Sequence, residues 1–183
     1  MTAEEFAARP ERKDGCREEL VGGIVQVAPP VEEPHGDIQF NIAEILRPFV
    51  RRHRLGRVRG DAGYRVAADP DYVPGPDASF MSHERAAEFP KTGTYRDTAP
   101  DLAIEIISPS NRADEMHAKV QRYLAGGARR VWILYPETRS VTVHRADGDA
   151  HTFTGDDVLT SADAGFAVDG FEAPASAFFA DID

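Results

Sequence analysis

The sequence predicts an α/β (α+β) fold whose central elements run helix, three strands, helix, strand. Three observations carry this. Residues 35–53, HGDIQFNIAEILRPFVRRH, set Ile38, Ile42, Ile45, Leu46 and Phe49 at helical spacing, which makes one amphipathic helix. Two short apolar runs, LAIEII and VWILY, have the length of buried strands. Between them NRADEMHAKVQRYLAGG is helical in period and closes on paired glycines.

The remaining elements follow in order. TAEEFAARP reads as a short helix, and REELVGGIVQVAPP as a hairpin, because VGG interrupts an alternation that resumes at Ile24, Gln26 and Ala28. After the amphipathic helix, GRVRGDAGYRVAADPD, GPDASFMSHERA and PDLAIEIIS read as three strands, and RRVWILYP as a fourth after the second helix. SVTVHRADGDAHTFTGDDVL turns back on itself at Asp147-Gly148, and the tail to Asp183 reads as irregular strand and loop. No repeat and no linker rich in Pro, Gly or Ser divides the chain, so one domain is expected over residues 1–183.

Composition narrows the class. With 183 residues and 42% hydrophobic content the chain can bury a substantial core. No apolar run approaches the roughly 20 residues that span a bilayer, and MTAEEFAARPERKDG has no signal-peptide core, so a cytoplasmic protein without membrane contact is expected. The single cysteine, Cys16, excludes an internal disulfide and carries no zinc-finger spacing. A net charge of −10 argues against wholesale coating of nucleic acid, whose nonspecific affinity comes from Lys and Arg on phosphates. A local basic face remains: Arg51, Arg52 and Arg54, with Arg57 and Arg59 beyond them, are candidate nucleic-acid contacts, and Arg129 and Arg130 form a smaller pair. The alternative for the first cluster is a solvated helix end, where cations favour the dipole.

Glu105 is the residue that asks for an explanation. An ionised carboxylate inside LAIEII costs several kcal/mol unless it is paired, hydrogen-bonded or bound to a cation. Strand alternation puts Leu102, Ile104 and Ile106 on one face, expected to be core, and Asp101, Ala103, Glu105 and Ile107 on the other, expected to carry the chemistry. Asp101 and Glu105 are then roughly 13 Å apart along the strand and do not share an ion directly. Asp77, in GPDASF, is different: if its strand lies beside that of Glu105, the ladder spacing is about 4.8 Å. A divalent cation would remove both the repulsion and the desolvation cost, and hard carboxylate oxygens suit magnesium or manganese. Asp77 and Glu105 are therefore the expected metal ligands, with a structural Glu105–arginine ion pair as the alternative.

On the second helix Met116, Lys119, Val120 and Tyr123 recur at i, i+3, i+4 and i+7, which sets Lys119 on an apolar stripe. It faces the sheet or snorkels from the stripe to solvent. Ser108, Ser110 and Asn111 read as a turn and helix cap, because no GxSxG elbow surrounds either serine. Gly126 and Gly127 end a helix and so do not form a phosphate-binding loop.

The phrases EELVGG, APPVEEPHGDIQFNIAEIL, GPDASF and PDLAIEIISPSNR, then Lys119 with RYLAGGARRVWILYP, resemble the PD-(D/E)XK nuclease superfamily and within it the Uma-two branch, over about residues 17–145. The resemblance implies a restriction-endonuclease-like core of αβββαβ order, a mixed central sheet flanked by helices, with an added N-terminal hairpin and C-terminal strands. It also implies a Mg2+- or Mn2+-dependent endonuclease hydrolysing phosphodiester bonds of nucleic acid, DNA in the first place, with Asp77, Glu105 and Lys119 catalytic. The superfamily's lysine follows the acidic residue by two positions, where this chain has Ile107; in this branch the lysine comes from the helix, which points to Lys119 for orienting the attacking water or stabilising developing charge. Glu19 matches the acidic residue ahead of the hairpin glycine, to bind metal through water or hold Lys119, although Gly22 and Ile24 stand where acidic residues are common. His35 matches the histidine at the start of the long helix, for phosphate contact or packing, and Asp101 is expected to cap or orient the rim of the site, in a structural role before direct ligation. Two other readings stay open: a nuclease-fold binding or assembly protein that does not cut, and a hydrolase of a small phosphoester. A two-fold homodimer would serve cuts on opposite strands.

Overall fold

The computed structural model of the chain describes residues 1–91, 93–109 and 111–182. A short helix α1 (Ala3–Ala7) precedes the hairpin β1 (Arg17–Val21) and β2 (Ile24–Ala28). Then come α2 (Glu33–Arg52), β3 (Gly56–Gly60), β4 (Ala78–Ser82), α3 (His83–Glu88), β5 (Leu102–Ile106), α4 (Ala113–Ala125) and β6 (Arg130–Tyr135). The chain closes with β7 (Ser140–Arg145), β8 (Ala150–Thr154), β9 (Val158–Thr160), α5 (Ser161–Ala164), β10 (Glu172–Pro174) and a 3-10 turn, Ala175–Phe179.

The central sheet has the order β3-β4-β5-β6-β7-β8. Only the β5–β6 pair in it is parallel, because α4 carries the chain back across the sheet between them. The αβββαβ order therefore stands, with α3 inserted after β4. Ile38, Ile42, Leu46 and Val50 of α2 recur every fourth residue and are buried against Leu102, Ile104 and Ile106 of β5. On the opposite face Val120 and Tyr123 of α4 pack with Ala103, Val131 and Ile133. One face of β5 is core, as expected; the other, which carries Glu105, is also covered, because α4 lies over it and all five β5 residues are buried.

Three further expectations change. The strand read into GRVRGDAGYRVAADPD stops at Gly60, and the rest contributes isolated bridges such as Ala67 with Tyr72. The strand read through SHERA ends at Ser82, whose hydroxyl accepts from Arg85 N at 3.1 Å and caps α3. The tail, read as irregular, pairs β9 with β10 and buries Phe166, Phe171, Phe178 and Phe179 in the α2-side core. Among the described residues no helix is long and apolar enough to cross a membrane.

The N-terminal hairpin turns at Gly22 and Gly23, whose φ values of +58° and +78° suit a primed two-residue turn. Leu20 bridges to Val73 and packs with Ala3, so β1 is fastened to the β3–β4 connection and to α1. Arg17, Glu19 and Val21 share one face of β1 by alternation.

Candidate active site

The β4–β5 ladder pairs Ala78 with Ile104, Ser79 with Ala103 and Phe80 with Leu102. Asp77 directly precedes β4, and its Oδ2 accepts from Ile106 N at 2.7 Å, which places it next to the β5 strand that carries Glu105. Glu105 faces α4, sharing parity with Ala103, whereas the Asp77 carboxylate meets Arg17 of the hairpin, His35 of α2 and the Ile106 amide. Both carboxylates are buried, Asp77 at 3% and Glu105 at 4% exposure. Two acids are therefore buried near each other at one end of β5.

Glu105 is compensated from α4. Lys119 Nζ donates to Glu105 Oε2 at 2.9 Å and lies equally close to Oε1, while Tyr123 OH donates to Oε1 at 2.7 Å. Lys119 also donates to Glu19 Oε1 at 3.0 Å, and that oxygen accepts from Gly75 N at 2.8 Å. Burial raises the Glu105 carboxyl to about 8; Lys119 draws it down, but Asp77 and Glu19 push it up again. For Lys119, burial acts to lower the ammonium's pKa, yet Glu105 and Glu19 more than reverse this and hold it above its ordinary value. The same burial, with Glu105 as acceptor, raises the Tyr123 phenol well above its usual range and keeps it a donor.

Asp77 is held from the hairpin and α2. Arg17 donates one N–H to Asp77 Oδ1 at 2.6 Å and to Asp61 Oδ1 at 3.0 Å. Oδ2 accepts from Ile106 N at 2.7 Å. His35 Nε2 lies 3.0 Å from Oδ1, but out of line for a hydrogen bond, and this buried nitrogen has no hydrogen-bond partner. Gln39 Nε2 donates to Asp77 O at 2.6 Å and to Asp61 Oδ2 at 3.0 Å. Burial works to raise the Asp77 carboxyl, yet His35, Arg17 and the Ile106 amide prevail and keep it below the ordinary value.

The donor chemistry fits a divalent cation. Glu19, Asp61 and Asp77, joined by Glu105 once it is ionised, are interleaved with two cations, Arg17 and Lys119, so the acids outnumber the cations. The acceptors are hard oxygens, and a buried His35 nitrogen beside them is unpartnered. Among the described residues no group of three or more His, Cys, Asp or Glu side chains is already spaced as a cage. An ion at Asp77 and Glu105 would compete with Arg17 for Asp77 Oδ1 and would share Glu105 with Lys119. A cleft of about 1060 Å³ opens here between the hairpin and α4, lined by Arg17, Glu19, Asp61, Glu105 and Lys119 among others.

The structure thus brings Asp77, Glu105, Lys119, Glu19 and His35 together. Asp101 is not among them. It lies fully buried at the far end of β5, accepts from Ser82 N at 2.7 Å through Oδ2, and has Arg129 Nε 3.2 Å from Oδ1. Its work is to tie the β4–α3 junction to β5, a structural role as expected, but away from the site rim, which is the part corrected. Arg51, Arg52 and Arg54 are exposed at the C-terminal end of α2, about 24 Å along the helix from His35. Ile107 shares the face of Glu105 and packs against the α4-side core, which leaves Lys119 as the ammonium at the site. Asn111 Oδ1 accepts from Ser108 N at 2.8 Å, closing a turn; the residue that caps α4 is Arg112, so the helix-cap reading of this stretch is corrected to a turn, and Ser110 lies outside the described residues.

Four site contacts escape sequence reasoning: Arg17, Gln39, Asp61 and the Tyr123 hydroxyl. Two of them carried a signal. Arg17 shares the β1 face of Glu19 at i+2, and Tyr123 follows Lys119 at i+4 on the buried stripe.

Comparison with solved structures finds a "putative nuclease belonging to DUF820" from Anabaena variabilis ATCC 29413, whose crystal structure at 1.96 Å resolution matches with a TM-score of 0.79. The match covers 98% of this chain and 97% of that one at 22% sequence identity, which establishes a shared fold. No curated protein matches the chain. The family profile described as "Putative restriction endonuclease" matches residues 3–169, nearly the whole sequence, and the chain belongs to this family, Uma2.

Proposed function

We propose that the protein is a divalent-metal-dependent endonuclease hydrolysing phosphodiester bonds of nucleic acid, DNA in the first place, in the cytoplasm. The observation that carries the reading is a buried Glu105 with the Lys119 ammonium 2.9 Å from its carboxylate, and a buried Asp77 whose Oδ2 takes the Ile106 amide of the same strand. Asp77 and Glu105 would hold Mg2+ or Mn2+, which when bound polarises a phosphate oxygen and lowers the pKa of its water. Lys119 keeps a fixed positive charge where the attacking water and the pentavalent phosphate develop negative charge. Glu19 fixes Lys119 from the hairpin, and Tyr123 fixes the rotamer of Glu105. Arg51, Arg52 and Arg54 act as a remote backbone contact: about 24 Å of α2 corresponds to about seven base pairs of duplex. The free thiol of Cys16 accords with a reducing compartment.

Incubation of supercoiled plasmid or labelled oligonucleotide with Mg2+ or Mn2+ tests this. The wild type is expected to cut and Asp77→Ala to lose at least about a hundredfold in rate. Equal trace cutting by both ends the reading. A second reading has one specific observation behind it: Asp77 and Glu105 are already compensated by Arg17, Lys119 and Tyr123. A nuclease-fold protein that binds without cutting would then retain duplex in a gel-shift assay and leave plasmid intact.

A further inference from the structure

The Asp77 carboxylate is engaged on both oxygens before any ion arrives. Oδ2 takes the Ile106 amide, and Oδ1 takes Arg17 with His35 close beside it. A carboxylate oxygen offers about two lone-pair sites; Arg17 fills one on Oδ1 and the His35 ring stands 3.0 Å away, so a cation at Oδ1 meets the guanidinium charge at hydrogen-bond distance while Arg17 stays. Arg17 has somewhere else to go. The same guanidinium nitrogen donates to Asp61, whose side chain is 51% exposed, and Gln39 holds Asp61 in place. Arg17 itself begins β1, its side chain is 36% exposed, and it lines the cleft. It can rotate about Asp61 without breaking the ladder. Lys119 cannot move in this way, because Glu19 and Glu105 clamp it at 3.0 and 2.9 Å and α4 buries its stem.

We propose that Arg17 is a displaceable phosphate ligand: it neutralises Asp77 in the resting site, yields Oδ1 to the divalent cation, and presents its freed N–H groups to the scissile phosphodiester while anchored on Asp61. The inference rests on the metal-dependent reading above. Its chemistry follows from the guanidinium, whose planar fork of N–H donors matches two phosphate oxygens and whose charge is permanent. The exchange also solves an electrostatic difficulty. A phosphodiester entering a cleft in which carboxylates outnumber cations is repelled; an arriving ion cancels the surplus and releases Arg17 in the same event. Metal and substrate binding are thereby coupled through one side chain.

The test is Mn2+ binding, followed by the paramagnetic signal of the free ion, in the wild type, Arg17→Gln and Arg17→Lys, together with oligonucleotide cleavage at saturating Mn2+. Removing the competitor should tighten Mn2+ binding about tenfold or more in R17Q, whereas R17K, which keeps a cation at Asp77, stays near the wild type. Cleavage by R17Q should fall about a hundredfold despite the tighter ion, with R17K in between. Arg17→Met, which keeps the aliphatic stem, replaces R17Q if that variant melts well below the wild type, with the same expected outcome. Equal Mn2+ affinity in the wild type and R17Q overturns the inference and leaves the metal-dependent reading standing. Absence of Mn2+ binding in every form overturns both.

Discussion

Glu105 links burial to pH. Its ordinary pKa is 4.5 and burial raises it in the folded chain to about 8, so between those values the native state binds the extra proton. Its contribution to stability is fully present below 4.5 and is lost as the pH rises through about 8. Asp77 has the opposite sign: its depressed pKa contributes stability that is present above the ordinary 3.8 and disappears as acid protonates it. Urea unfolding at a series of pH values should therefore show wild-type stability falling between about pH 4.5 and 8, while Glu105→Gln, neutral throughout, lacks that decline. Parallel profiles for the two proteins would mean that Glu105 does not carry the proton. Because a cation at Glu105 displaces the same proton, Mn2+ affinity should climb with pH over this interval.

Among the elements, the β3–β4 ladder holds the edge of the sheet next to Asp77, and it depends on a close backbone approach. Gly56 pairs with Ser82, and a Cβ at position 56 would run into the Met81 carbonyl oxygen and stand 2.7 Å from Ser82 Cα. Neither is a flexible side-chain end that can step aside. Gly56→Ala should cost at least about 2 kcal/mol by chemical denaturation. Gly148, at the β7–β8 turn, meets nothing within 4 Å but has φ of +93°. Gly148→Ala should cost only about 1 kcal/mol, which measures backbone strain without a clash. A larger loss at position 148 than at 56 would show that the close strand approach does not govern this edge.

At the scale of the whole molecule, a chain of net charge −10 with a surplus of carboxylates in its cleft gains from any bound divalent cation. Ligand binding to the native state alone stabilises by about 2.7 kcal/mol at a hundred times Kd. Mn2+ at that level should raise the melting temperature of the wild type by several degrees, and Asp77→Ala should show no rise. A matching rise in the variant would place the ion elsewhere. The same scale decides what could be read beforehand. Helical period gave α2 and α4, short apolar runs gave β5 and β6, and turn residues gave both hairpins, because each signal lies within a few consecutive residues. The acids at 77 and 105 and the lysine on the α4 stripe were legible for the same reason.

By itself, then, the sequence determined the elements, their order, and which side chains had to find partners. Only the tertiary structure decided the partners. Arg17 reaches Asp77 across 60 residues of chain and Lys119 reaches Glu19 across 100. Alternation assigns a residue to a face without saying what covers that face, and the layer α4 lays over β5 came as a second core. Periodicity is a local property of the chain, whereas register, ion pairing and burial are set by segments that meet only on folding.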